Sequence, residues 1–224
     1  MTSRERVLGA VSGKATDRRP VMAWPFWNSG SDFRHFGDND LPARIEAEDS
    51  IALVEVTNPF GLALQRRVDL NGTLKQDPRR GNEQLAELVE ISRRAIGAAF
   101  EAGADGILYR LFGARAIHCT PMQYGGYYLE RDRELLEYAA NSTFNVVFVV
   151  GEEDVYLDFV SDLPASALGW DSRSSNVSAA EVRQMRVEAL LSEDPQSNIL
   201  LEPGTTNLSR MLETCVKTED SYAI

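Results

Sequence analysis

A chain of 224 residues, 43% hydrophobic and 25% charged, is long enough to bury one sizeable core, and a single domain over 1–224 is the expected organisation. Its formal charge of -11 argues against non-specific nucleic-acid binding and against docking on anionic membranes. No apolar run reaches the length of a membrane span, and residues 1–20 lack the apolar centre of a signal peptide, so the expected location is the cytoplasm. Cys119 and Cys215 form no CxxC pair and fit a reducing compartment.

In chain order, Ser3 caps a predicted helix over roughly Arg4 to Ser12, with Val7, Leu8 and Val11 as its apolar stripe and Gly13 as its stop. Pro20 to Trp24 reads as a first strand, followed by a loop from Pro25 to Gly30. Residues 31–80 read as the irregular part. Within them IALVEVT predicts a strand, LALQRRVDL a second strand, and Asn71-Gly72 a hairpin turn. Apolar residues at Leu85, Leu88, Val89, Ile91, Ile96, Ala99 and Phe100 predict a helix from Asn82 that Gly103 closes. A strand at 104–110 follows, then a loop with Pro121 and Gly125-Gly126, in which Tyr124, Tyr127 and Tyr128 suit either a lid or a packed patch.

Beyond this loop helix and strand alternate. LERDRELLEYAANS, DVYLDFVSDL, SAAEVRQMRVEALLS and NLSRMLETCVKT are predicted helices, and FNVVFVV, SALGWD and NILLEPG are predicted strands. Residues 81–217 are thus a regular βα region. Such alternation implies parallel strands with helical crossovers, and the nearly all-apolar strands imply cover on both faces. A doubly wound sheet and a (β/α) barrel both satisfy the pattern. No GxGxxG follows the first strand, so a dinucleotide site has no support.

Four segments resemble the uroporphyrinogen decarboxylase superfamily, which also holds cobalamin- and coenzyme-M-linked methyltransferases. They are TSRERVLGAVSGKATDRRPVMAW with its Asp-Arg-x-Pro-Val, EAGADGILYRLFG with its Ala-Gly-Ala-Asp-Gly, FNVVFVVGEEDVYLDFVSDLPASALGWDSR ending in Trp-Asp, and NILLEPGTTNLSRMLE. The resemblance covers about two thirds of the chain and implies a TIM-type barrel with its pocket at the C-terminal strand ends. The helix from Asn82 arrives sooner than the family layout, which implies an incomplete barrel of fewer than eight βα units.

The resemblance also locates departures. The methyltransferase branch writes His-x-Cys-Gly where this chain has Phe148-Val149-Val150-Gly151. Those two family side chains bind zinc, and hydrocarbon cannot replace nitrogen and sulfur donors, so no metal is expected there. The decarboxylase branch has an arginine-rich motif where this chain reads Met22-Ala23-Trp24-Pro25-Phe26-Trp27, and the family's Phe-Asp is Tyr109-Arg110 here.

Candidate residues remain at the strand ends. Asp171 is a candidate substrate-cation holder or base, against a bland role as a cap or a partner of Arg173. Glu202 has the same two readings. Arg110 is a candidate carboxylate or phosphate clamp, against a salt bridge to Asp171 or Glu202. His118 is a candidate acid/base, and Cys119 reads as a small buried residue. Trp24 and Trp27, with Phe26, suit stacking on a tetrapyrrole or corrinoid ring, against plugging a thin barrel. Tyr124 is a candidate substrate contact. His35 reads as a surface residue.

Two functions stay open. One is a zinc-independent decarboxylase or methyltransferase acting on a tetrapyrrole-related, corrinoid-related or small anionic substrate. The other is an inert relative that binds a corrinoid, a tetrapyrrole or a protein partner. A corrinoid enters as a ligand or substrate rather than an assured cofactor. A small-molecule ligand, a homodimer and a corrinoid-protein partner are the expected associations.

Overall fold

The computed structural model describes residues 1–11, 14–22, 31–37, 41–46, 49–151, 154–175, 177–186, 189–193 and 199–202. Helix α1 (Ser3–Val11) precedes a two-residue strand β1 (Val21–Met22) and β2 (Phe33–Phe36). Strand β3 (Ile51–Thr57) leads into helices α2 (Pro59–Gln65), α3 (Leu70–Gln76) and α4 (Pro78–Glu101). Strand β4 (Gly106–Leu111), a short α5 (Pro121–Gln123), a π-helical turn (Tyr124–Leu129) and α6 (Glu130–Tyr138) follow. The remaining elements are β5 (Val146–Val149), α7 (Leu157–Val160), β6 (Ala167–Trp170), α8 (Ser172–Ser175), α9 (Ala179–Met185), β7 (Ala189–Glu193) and β8 (Ile199–Glu202).

The strands form one sheet in the order β1-β8-β7-β6-β5-β4-β3-β2. Strands β2 to β7 pair in parallel, each with the next in sequence, while β8 is antiparallel to both β7 and β1. Among the described residues the sheet therefore has eight strands but fewer than eight parallel βα repeats. Its two terminal strands meet at Asp32, the residue before β2. The Asp32 N–H donates to the Val21 carbonyl at 2.8 Å, and the Val21 N–H donates to Asp32 Oδ2 at 2.8 Å.

Alternation along the strands divides the core. Ala52, Val54, Val56, Ile107, Tyr109, Leu111, Val147, Val149, Leu168 and Trp170 face the helices. Ile51, Leu53, Leu108, Val146, Phe148 and Ala167 face the other way, onto Phe33, Met22, Phe144 and Val7 of α1. By the same period of two, His35, Glu55 and Arg110 lie on this second, enclosed face, at the C-terminal strand ends.

Two of the runs that carried the family resemblance, Asp17-Arg18 and Asp105-Gly106, sit at the opposite end and hold the sheet together. Arg6 Nε and Nη2 donate to the Asp17 carboxylate at 2.7 and 2.8 Å, and Arg6 Nη1 donates to Asp32. Arg18 donates to both Asp32 oxygens at 2.7 and 3.0 Å. Asp105 accepts both Arg4 Nη groups at 2.8 and 2.5 Å, and its Oδ2 also accepts the Ala52 N–H at 2.9 Å. The glycine of the Ala-Gly-Ala-Asp-Gly run is required by close approach, because a Cβ on Gly106 would lie 1.6 Å from the Phe144 carbonyl oxygen.

Four expectations are corrected. LALQRRVDL is not a strand, and the described part of residues 31–80 contains two helices and the start of a third. Asn58 caps α2 by accepting the Gly61 N–H with Pro59 at the first turn, and Asp69 caps α3 by accepting the Gly72 N–H. Asn71-Gly72 therefore lies inside α3 rather than at a hairpin. Asp77 caps α4 in the same way, so that helix begins at Pro78. The helix expected over SAAEVRQMRVEALLS stops at Met185, and β7 starts at Ala189. Arg186 is extended there, and its buried guanidinium donates to the carbonyls of Ser161, Leu163 and Ala165. The helix expected at NLSRMLETCVKT lies outside the described residues.

Candidate functional site

The C-terminal ends of β2, β3 and β4 bring three ionisable side chains together. His35 Nε2 lies 2.8 Å from Glu55 Oε1, and Arg110 Nη1 lies 3.3 Å from Glu55 Oε2. Strand register explains the meeting: Glu55 is two residues beyond Leu53, which pairs with His35, and Thr57 pairs with Arg110. The side chains of His35, Glu55 and Arg110 are 15%, 19% and 29% exposed. Burial pushes the Glu55 carboxyl up, but the His35 hydrogen bond and the charges of His35 and Arg110 outweigh it and hold its pKa below the usual value. Glu55 is thus an anion at neutral pH, set between an imidazole and a guanidinium. The Arg110 Cζ stands 5.1 Å from the centroid of the Phe112 ring, a cation–π contact.

Phe148 pairs with Arg110 in the sheet and is 7% exposed. It therefore stands beside Arg110 on the enclosed face, packed into the apolar core there. The zinc that the family resemblance implies does not fit here, because Phe148 and Val150 offer carbon where a donor atom is needed.

Several expected residues fall elsewhere. His35 is not a surface residue. Arg110 pairs with Glu55, rather than with Asp171 or Glu202. Asp171 follows β6, two residues beyond Gly169, which pairs with Phe148, and so lies at the same end of the sheet as Arg110. Glu202 lies at the opposite end. Strand β8 runs antiparallel to β7 and sets Glu202 beside Leu190, near the start of the parallel strands. Trp24 and Trp27 lie outside the described residues.

Tyr124 is fully buried on the helical side and forms no lid. Its hydroxyl donates to Asp132 Oδ2 at 2.7 Å, the Tyr109 hydroxyl donates to Asp132 Oδ1 at 2.6 Å, and Asn58 Nδ2 donates to Oδ1 at 3.3 Å. Burial raises the Asp132 pKa to about 6 although all three donors oppose it. This cluster ties β4, α6, the π-turn and the cap of α2 into one polar knot behind the sheet.

His118 and Cys119 stand in the loop after β4. Burial and the neighbouring Arg115 charge lower the His118 pKa, which favours neutral imidazole. The Cys119 thiol is 5% exposed, lies 3.3 Å from the Gly113 carbonyl and is pushed up to about 11 by burial. A thiol with that pKa is about one part in ten thousand thiolate at pH 7. Native protein held with iodoacetamide at pH 7 is therefore expected to stay unmodified at Cys119 and to be alkylated there once denatured. Peptide mass spectrometry checks this, and prompt native alkylation would show an activated thiol.

His35 and Glu55 are the residues that sequence reasoning misses. The available signal is that each stands two residues beyond a buried apolar residue, Phe33 and Leu53, and so shares its face of the strand.

No known family profile matches the chain, and no curated protein sequence does. The structure does resemble that of a methyltransferase from Methanosarcina mazei. The match covers 86% of this chain and 82% of the other, with a TM-score of 0.67 and 15% sequence identity. That likeness concerns the fold. Among the described residues, no helix is long and apolar enough to cross a membrane.

Proposed function

We propose that this chain is an enzyme on a TIM-type (β/α) barrel of the uroporphyrinogen decarboxylase kind, acting without zinc on a carboxylate-bearing substrate. The observation that carries the proposal is the His35–Glu55–Arg110 cluster at the strand ends of an enclosed apolar face. Closure of the sheet at Asp32 and the methyltransferase likeness support the barrel.

In this reading Arg110 holds a substrate carboxylate, Glu55 fixes the orientation of both His35 and Arg110, and His35 exchanges the proton. In a decarboxylation the C–C bond electrons stay on carbon as CO2 leaves, and His35 protonates that carbon. Methyl transfer is the other reaction of this fold's likeness, and there the same clamp would align the acceptor. The substrates proposed are a tetrapyrrole carboxylate, a corrinoid or a smaller anion. Asp171 and His118 remain rim candidates, and the cytoplasm, a homodimer and a corrinoid-protein partner belong to the same proposal.

The filled position at Phe148 favours one alternative, a catalytically inert relative that keeps the pocket for binding. Calorimetry with coproporphyrin and with a corrinoid, in separate runs, tests both. Micromolar binding of either is expected, weakened at least ten-fold by Arg110→Gln, about 1.4 kcal/mol or more. Turnover that Glu55→Gln abolishes would establish the enzyme, and binding without turnover the inert relative. Binding that is indifferent to Arg110→Gln would overturn the assignment of this site.

A further inference from the structure

One buried amide fixes the way β4 leaves the sheet. Asn58, which follows β3, is fully buried and uses every hydrogen-bonding position of its side chain. Its Oδ1 accepts the Phe112 N–H at 3.0 Å and the Gly61 N–H at 2.9 Å. Its Nδ2 donates to the Phe112 carbonyl at 3.1 Å and to Asp132 Oδ1 at 3.3 Å. The Asn58 backbone N–H also donates to the Arg110 carbonyl at 3.1 Å. One side chain thus holds both backbone groups of Phe112, and Asp132 fixes its orientation from behind. Asn58→Asp would set an acceptor against the Phe112 carbonyl, so the amide is required.

The Phe112 ring is placed as closely as its backbone. A Cβ on Gly61 would lie 2.7 Å from Phe112 Cδ2, so the ring rests directly on the first turn of α2. The chain then turns at Gly113, where φ is 89° and a Cβ would come 2.0 Å from Phe60 Cδ1. Phe112 is half-buried, and the Arg110 Cζ stands over its ring at 5.1 Å from the centroid. The ion pair alone does not fix that guanidinium. Glu55 anchors it through Nη1 at 3.3 Å, and a single contact of that length leaves the plane free to turn about the anchor. Stacking on an aromatic face sets the plane.

We infer that Phe112 is a positioning residue of the pocket: clamped by Asn58 and seated on Gly61, it fixes the Arg110 guanidinium in the orientation that meets a substrate carboxylate. The inference rests on the proposed function of this pocket and adds to it the group that orients the clamp. Phe112 acts through Arg110 and not on the substrate itself. Its backbone clamp and its glycine seat come from the end of β3 and from α2, so the geometry of Arg110 is set by two neighbouring βα units together.

The test has two readouts on the full chain. The first is the Arg110 Nε–Hε signal in the proton–nitrogen NMR spectrum, assigned by its loss in Arg110→Gln. Burial of Nε shields that proton from exchange with water, and the ring current of Phe112 acts on it. The signal is expected to move in Phe112→Leu and to stay in place in Phe112→Tyr, which keeps the ring. The second readout is calorimetry with coproporphyrin. Phe112→Leu is expected to weaken binding roughly three-fold or more, Phe112→Tyr to restore it, and Phe112→Leu to cause no further loss in the Arg110→Gln background. Thermal unfolding confirms that each variant is folded, and Phe112→Met replaces Phe112→Leu if the latter is not. An Arg110 signal indifferent to Phe112→Leu overturns the inference, because the guanidinium is then held without the ring. A loss of affinity that is equally large in the Arg110→Gln background also overturns it, because the ring then touches the ligand itself. Either result leaves the pocket reading standing. A signal that moves as expected with no coproporphyrin binding by any of the proteins counts against the pocket reading instead, and reduces Phe112 to a packing residue.

Discussion

Replacing Asp32 with alanine is expected to lower the unfolding free energy by about 3–5 kcal/mol, the usual consequence of removing one partner from a buried ion pair. Asp32 is fully buried and accepts four donors, from Arg6, from Arg18 twice and from the Val21 N–H. The loss is uneven among them. Arg18 is 45% exposed in its side chain and can return to water. Arg6 is 6% exposed and cannot, so half of its neutralisation disappears and only Asp17 remains. The Val21 N–H loses its acceptor at the place where the two terminal strands of the sheet meet. For a domain of this size the transition midpoint should fall by roughly 10 °C. Asp32→Asn, which keeps an acceptor but no charge, should fall between the two. Urea unfolding of the three proteins measures it, and a change below about 1 kcal/mol in the alanine protein would mean that closure does not depend on this carboxylate.

The second large effect concerns Asp132 and has a pH signature. Its pKa is about 6 in the folded protein and near 3.9 in an unfolded chain. The folded state therefore binds the proton more tightly. The stability this provides is fully present below pH 4 and is lost as pH rises from about 4 through about 6. Raising one carboxyl pKa by that much corresponds to about 3 kcal/mol across that window. Asp17 and Glu55 are displaced in the opposite direction, so the wild-type profile mixes signs. The difference between wild type and Asp132→Asn isolates the buried group. That difference should favour wild type at pH 4 and decline to a plateau above pH 7. A flat difference would mean that Asp132 does not titrate here. Asp132→Leu removes the acceptor for both the Tyr109 and Tyr124 hydroxyls, each fully buried, and should cost roughly 2–6 kcal/mol at any pH below their own ionisation. Burial and the Asp132 charge raise both tyrosine pKa values, so neither hydroxyl can escape by ionising.

Both effects lie away from the proposed pocket. Asp17, Arg18, Asp105 and Gly106 belong to the recognisable runs, and each is explained by holding strands and α1 at the N-terminal end of the sheet. The pocket end carries His35, Glu55 and Arg110, of which only Arg110 is legible in the sequence as a site residue.

What the sequence alone determined is what depends on local periodicity and local chemistry. The long apolar stripe of α4, the all-apolar run of β5 and the helix–strand alternation from α4 onward follow from side-chain spacing within one element. The incompatibility of Phe148 and Val150 with zinc follows from their atoms. Cap signals are equally local, and Asn58-Pro59, Asp69 and Asp77-Pro78 mark three helix starts that periodicity misassigns or misplaces, because LALQRRVDL alternates well enough to pass for a strand. The tertiary structure alone decided which residues meet. Twenty residues separate His35 from Glu55 and fifty-five separate Glu55 from Arg110, and only the register of β2, β3 and β4 sets their side chains on one face at one height. Strand direction is likewise a pairing property: Glu202 ends an apolar strand in sequence just as Arg110 does, yet antiparallel pairing of β8 carries it to the far end of the sheet. Backbone hydrogen bonding between strands fixes that outcome, and nothing within a single strand encodes its neighbour's direction.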